Sequence, residues 1–173
     1  SINEHGAFEQ VKNNLSGTSF LLQPNQTIWQ MEIQNSDGKQ LIISSEEQSL
    51  QINQKDNRID LNTAKLHIGE QDEDIQVQCS MELVGDEIRF QAELINGSEW
   101  QIKSFEYPIL SNIGNLPADK NYLYWPNLPG MRYENPLGLK KTLSSSYPGS
   151  LVMQWIEYGN EREGLYCTSQ DQS

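Results

Sequence analysis

No apolar run in the sequence approaches the roughly 18 to 20 residues that a membrane-spanning helix needs, and the N-terminus lacks the basic-then-apolar profile of a signal peptide. Lys and Arg are scarce, 12 against 24 Asp and Glu, for a net charge of −12. They form no cluster, so neither nucleic acid nor an anionic membrane is an expected partner. His5 and His67 stand far apart without acidic or Cys partners at ligand spacing, which argues against zinc. The two cysteines allow at most one disulfide and no metal framework. Both fall at alternating apolar positions, Cys79 after Ile75 and Val77 and Cys167 after Leu165, and both are expected as buried free thiols. There is no G-x-S-x-G elbow, no Walker loop and no Gly-rich turn from strand to helix, so no cofactor is expected. Helical period is missing too: Phe8 to Leu15 is the one window near it, and Gly6 with Lys12-Asn13-Asn14 makes strand and turn at least as good a reading.

What is present is period two. Ile75, Val77, Cys79, Met81 and Leu83 alternate with polar residues, a turn follows at Val84-Gly85-Asp86-Glu87, and Ile88, Phe90, Ala92 and Leu94 alternate again. Asn96-Gly97 reads as a hairpin turn into a third strand, completing a meander. The apolar phase then shifts between Ile102 and Phe105, as one extra residue in a bulge would shift it. Upstream, Trp29, Met31 and Ile33 precede a turn at "SDGK" and then Leu41 and Ile43, while "SLQIN" and "RIDLN" are shorter strands. The pattern predicts an all-β fold, an antiparallel two-sheet β-sandwich of ten or so strands, with Val77, Cys79, Met81, Phe90, Leu94 and Met153 buried. A chain of 173 residues suits a single β-sandwich domain over 1–173. It opens without Met and stops directly after a strand, so a larger multidomain parent is expected.

After Leu110 the pattern changes. "YLYW" is one short strand, and Pro126 to Ser150 reads as a long loop holding "NLPG", "ENPLG" and "SYPGS". Loops of about 25 residues inside a compact domain are uncommon and are usually functional when they are not disordered; the aromatics here argue against disorder. "LVMQWIEY", a turn at "GNERE" and "GLYCTS" form a last hairpin.

Two acidic groups invite chemistry. "GEQDED" gathers Glu70, Asp72, Glu73 and Asp74 and could hold calcium, but it lacks the spacing of an EF-hand loop and reads first as a solvated hairpin tip. Glu134 and Glu157 are the pair that glycoside hydrolysis would require. Glu157 also lies in phase with Met153 and Trp155, where a structural partner explains it equally well.

The series "WPNLPGMRYENP" (Trp125 to Pro136), "YPGSLVMQW" (Tyr147 to Trp155) and "GLYCTSQD" (Gly164 to Asp171) resembles the N-terminal galactose-mutarotase-like supersandwich of large bacterial glycoside-hydrolase-like proteins. "GAFEQVKN" is similar to the opening strand of such sandwiches. The resemblance implies a non-catalytic module, without the family's catalytic acids, that packs beside a (β/α)8 barrel belonging to the same parent chain and helps shape its sugar site. An extracytoplasmic compartment is the expectation. Trp125, Arg132, Tyr133, Glu134 and Tyr147 are then the residues expected to meet carbohydrate or the barrel. Aromatic faces would stack on sugar rings while Arg, Glu and Asn bond hydroxyls. The alternatives are an independent carbohydrate-binding module, an enzyme built on Glu134 and Glu157, or a loop whose Trp125, Met131 and Tyr133 merely cap the domain's own core.

Overall fold

The computed structural model describes residues 1–145 and 149–169, which form thirteen strands and two short 3-10 turns. Two compact units emerge: Ser1–Val11 with Leu21–Ile113, and Lys12–Phe20 with Gly114–Ser173. The fold is all-β and antiparallel, as the alternation predicts.

The first unit holds β1 (Gln30–Gln34), β2 (Gln40–Ser44), β3 (Gln51–Lys55), β4 (Arg58–Thr63), β5 (Leu66–Ile68), β6 (Gln71–Glu73), β7 (Ile75–Val84), β8 (Glu87–Asn96) and β9 (Gln101–Glu106). They form sheets in the orders β2-β1-β9 and β3-β4-β7-β8, with β5-β6 as a small third. Alternation decides which side chains go inside. Met31 and Ile33 of β1 and Ile43 of β2 meet Leu61 of β4 and Val77, Cys79 and Met81 of β7 in one buried cluster with Trp29. Each such aliphatic side chain contributes about 1.5 to 3 kcal/mol by leaving water. Rings close the cluster: Phe8 meets Phe90 edge-on at 6.1 Å, Phe90 meets Tyr107 at 5.9 Å, and Trp29 lies 5.9 Å from Phe105. The Tyr107 hydroxyl donates to the Ser80 carbonyl at 2.8 Å, and burial raises its pKa.

The predicted bulge is present. In the β1–β9 ladder Glu32 faces Ser104 and Ile33 faces Ile102, which leaves Lys103 as the extra residue. The predicted meander is not: β9 pairs with β1 and leaves β8 as an edge. The cause lies at Asn96-Gly97. Asn96 Oδ1 accepts from the backbone N–H and hydroxyl of Ser98, its Nδ2 donates to the Trp100 carbonyl, and the Gly97 N–H bonds the Asp74 carbonyl at 2.7 Å. The Asn96 bonds hold a local Asx turn rather than a two-residue hairpin, and the Gly97–Asp74 bond carries the β7–β8 ladder one pair further. A Cβ at Gly97 would collide with the Asp74 carboxylate, so glycine serves there for close approach.

The second unit is one sheet, β11-β10-β12-β13, made of β10 (Tyr122–Trp125), β11 (Met131–Glu134), β12 (Trp155–Gly159) and β13 (Gly164–Thr168). Within the stretch read as loop, Pro126 to Ser150, the chain therefore makes a strand. Pro126 and Leu128 bond Val152 and Ser150 through their backbones, and Gly130 N–H turns back on the Asn127 carbonyl. That turn delivers Met131–Glu134 antiparallel to Tyr122–Trp125. Asn121 and Asn135 tie the open end: Asn121 N–H donates to Asn135 Oδ1 and Asn135 N–H to the Asn121 carbonyl. Glu163 anchors residues 12–20, accepting from Asn13 Nδ2 at 3.0 Å, Ser16 Oγ at 2.5 Å and Thr18 Oγ1 at 2.6 Å.

Burial expectations are corrected at four residues. Phe90 and Leu94 are half-buried, because β8 is an edge strand with core on one side only. Met153 is exposed, because the chain is still bending ahead of β12 and has not joined the sheet. Cys167 is exposed on the edge strand β13, whereas Cys79 is buried; both thiols are free.

Candidate functional site

The register of the second unit's sheet places its side chains on two faces. Tyr122 stands opposite Glu134 and Gly159, and Tyr124 stands opposite Arg132 and Glu157. Glu157 in turn faces Tyr166 on β13, and Trp155 faces Thr168. Cross-strand partners share a face. One face therefore carries Arg132 and Glu134 on β11, Tyr122 and Tyr124 on β10, Trp155 and Glu157 on β12, and Tyr166 on β13.

Contacts between these side chains agree with that placement. The Arg132 guanidinium lies 4.8 Å from the centre of the Tyr122 ring, a cation–π distance. Tyr122 and Tyr124 are 6.3 Å apart, and Trp155 stacks on Tyr166 at 5.8 Å with 27° between planes. Lys120 Nζ reaches Glu134 Oε1 at 2.9 Å, and that hydrogen bond, with the charge behind it, raises the lysine pKa. Tyr166 is 61% exposed, so the Trp155–Tyr166 stack presents one ring to solvent. Such a face can lay aromatic surface against an apolar plane and offer carboxylates and a guanidinium to hydroxyl groups at its border.

The residues expected from the sequence divide between the two faces. Arg132 and Glu134 are on the face just described. Trp125 and Tyr133 are on the other, with Leu123, Ile156, Tyr158 and Leu165. Trp125 and Tyr133 are half-buried there and Met131 is exposed. Tyr133 is covered by Lys141, whose Nζ sits 5.2 Å from the ring centre, and its hydroxyl contacts Met131 Sδ at 3.2 Å. Tyr158 is buried, with its hydroxyl donating to the Gly114 carbonyl at 2.8 Å. Tyr147 lies outside the described residues.

The residues that sequence reasoning missed are Tyr122, Tyr124, Trp155 and Tyr166. Their signal is visible in hindsight as aromatics at two-residue steps in "YLYW" and at matching positions of "WIEYG" and "GLYCT".

Elsewhere the acidic groups behave as surface. His67 Nδ1 pairs with Asp72 Oδ1 at 2.9 Å on the β5–β6 hairpin, both side chains well exposed. Among the described residues no group of three or more His, Cys, Asp or Glu is arranged to hold a metal ion. On the outer face of β4, β7 and β8, Arg58, Asp60, Asn62, Gln78, Gln91 and Glu93 line a shallow groove of about 430 Å³ without an aromatic ring. Arg58 is engaged there by Asp60 at 2.8 Å and Glu82 at 3.7 Å. No known protein family matches the chain, and no curated protein matches it either.

Proposed function

We propose that this chain is a non-catalytic carbohydrate-contacting module of supersandwich type, and that the aromatic face of β11-β10-β12-β13 is its sugar-facing surface. The observation that carries the reading is the stacked Trp155–Tyr166 pair beside Tyr124, bordered on the same face by Glu157, Arg132 and Glu134. Pyranose C–H faces pack on such rings, and charged side chains at ring level accept or donate to hydroxyls. The resemblance of the Trp125–Pro136 and Gly164–Asp171 segments to modules that precede a catalytic barrel supports a place beside such a barrel in the same parent chain. There the module would orient substrate rather than cleave it.

An independent carbohydrate-binding module is the second reading, and the exposure of Tyr166 favours it: a ring open to solvent can meet sugar without a neighbouring domain. Glycan-array screening followed by calorimetry with soluble oligosaccharides tests both. Binding by the chain that weakens about tenfold or more in Tyr166→Ala or Trp155→Ala, with folding intact, supports the face as a sugar surface. Absence of binding in the chain alone, restored when a barrel domain of the parent is joined to it, selects the first reading. No binding in either form refutes the proposal.

A further inference from the structure

We infer that β8 is a pairing edge for a second copy of this chain, joined antiparallel in a register centred on Gln91. β8 runs ten residues in unbroken register with β7 and is the last strand of its sheet. Natural edge strands are usually short, bulged, or guarded by charged side chains, Lys above all, or by Pro; the charges of β8 are of both signs, Glu87, Arg89 and Glu93, so they can pair with one another across a two-fold axis. β8 has no Lys, no Pro and no bulge, whereas the opposite edge, β3, is five residues long and ends in Lys55.

The backbone settles which groups are free to pair. The Leu83 N–H bonds the Asn57 carbonyl at 2.8 Å and the Leu83 carbonyl accepts from Asn57 Nδ2, so Leu83 turns its backbone polar groups toward β4. By alternation Val84, Glu82 and Ser80 turn theirs toward β8, where they meet Glu87, Arg89 and Gln91. Ile88, Phe90, Ala92 and Leu94 are left with N–H and C=O groups directed away from the sheet. In an antiparallel dimer these four positions must face one another, so only registers that pair even-numbered residues with even-numbered residues are open.

Side-chain chemistry chooses among those registers. Centred on Gln91, the pairing sets Arg89 of each copy opposite Glu93 of the other, Ile88 opposite Leu94, and Phe90 opposite Ala92, each twice by symmetry. Opposite charges and large-with-small apolar pairs are the favourable cross-strand combinations. Centred on Phe90, the pairing sets Glu87 opposite Glu93 twice. Centred on Glu93, it sets that carboxylate against itself. Centred on Ala92, it gains no ion pair, whereas the Gln91 register, which sets Glu87 opposite Ile95, makes the Arg89–Glu93 pair twice. The chosen register also covers apolar surface that is otherwise wet, since Ile88, set opposite the second copy's Leu94, is 50% exposed. Two four-stranded sheets would become one of eight, with the polar faces on the same side.

Sedimentation velocity on the 173-residue chain at about 150 mM salt, where the repulsion between two chains of net charge −12 is screened, tests this. A monomer–dimer equilibrium is expected as concentration rises through about 100 µM, the range for a small strand-edge interface. Arg89→Glu or Glu93→Arg should each weaken the dimer about tenfold or more, and the double exchange should recover it to within about threefold. In a Cys167→Ser background, Gln91→Cys should form an interchain disulfide under mild oxidation and Glu93→Cys should not, since only position 91 meets itself. Any of three results overturns the inference: a monomer up to about 1 mM, a dimer indifferent to both charge reversals, or cross-linking that favours position 93.

Discussion

Glu134 and Glu157 occupy the same face of one sheet but flank β10 from opposite sides, Glu134 opposite Tyr122 and Glu157 opposite Tyr124. Two strand spacings and a two-residue offset put their Cα atoms about 12 Å apart, with the tyrosine column between them. Glycosidases hold one glycosidic bond between their two carboxyl groups, and here the Tyr122–Tyr124 column stands between the two strands that carry these glutamates. Glu134 is moreover engaged by Lys120. The expected outcome is that Glu134→Gln and Glu157→Gln leave turnover of a panel of aryl glycosides at the level of the unsubstituted chain. A fall of orders of magnitude in either variant would assign these carboxylates to hydrolysis after all.

The Glu163 carboxylate gives a pH signature. Hydrogen bonds from Ser16, then Thr18 and Asn13, hold its pKa below the ordinary 4.5. A depressed carboxylate stabilises the fold fully above its ordinary pKa and loses that contribution as pH falls through the lowered value. The difference in Tm between the chain and Glu163→Ala should therefore be constant above about pH 5 and close progressively in more acidic buffer. A gap that persists at pH 2 would mean that packing, not ionisation, carries the contact.

Thiol chemistry should separate the two cysteines. Burial pushes the Cys79 thiol up to about 12, and Cys167, exposed as a residue, also has its thiol raised by partial desolvation. Only the thiolate reacts. A disulfide reagent at pH 8 should label one thiol per native chain, more slowly than free cysteine, and a second only after unfolding. Rapid labelling of both in the native state would contradict the burial of β7.

Gly159 and Gly164 face each other at the closed end of the last hairpin. A Cβ on Gly159 would lie 2.7 Å from the Glu163 carbonyl oxygen and 2.8 Å from Gly164 Cα; one on Gly164 would lie 2.8 Å from the Tyr158 carbonyl oxygen. Backbone cannot yield as a side-chain tip can. Gly159→Ala and Gly164→Ala should each cost about 1 to 3 kcal/mol in chemical denaturation. Near-UV circular dichroism should change with them as the Trp155–Tyr166 stack is disturbed.

The fold was legible wherever one face of a strand alternated for long enough. β7 and β8 can be read residue by residue, and the slip from Ile102 to Phe105 reveals the Lys103 bulge before any coordinates do. "MRYE" has the same alternation, but over four residues hemmed by Pro129 and Pro136, and so it reads as loop. Met153 was misplaced because the phase of Trp155 was extended back through a bend. β9's partner was hidden for a different reason: Asn-Gly signals a two-residue hairpin, while the Asn96 side chain instead bonds Ser98 and the Trp100 carbonyl, and the strand that receives β9 is β1, far away in sequence. The aromatic face was illegible for that reason too. Tyr124, Glu157 and Tyr166 become neighbours only through ladder registers that no local window contains.

The choice of β1 as partner for β9 also sets a timetable. Until the chain has been made through Glu106, β1 and β2 are a two-stranded ribbon, which is marginal in water on its own. Met31, Ile33 and Ile43 stay uncovered until their partners on β4 and β7 have emerged, and β1 lacks its second ladder partner until β9 is made, whereas the neighbouring β7–β8 hairpin can form at once. Assembly is therefore ordered from the middle outward, with the earliest-made strands completed last. Pairing of this long range places folding in the millisecond-to-second regime rather than the microsecond one. The interval before β1 is capped is when a chaperone or an aggregating neighbour has its best access to this protein.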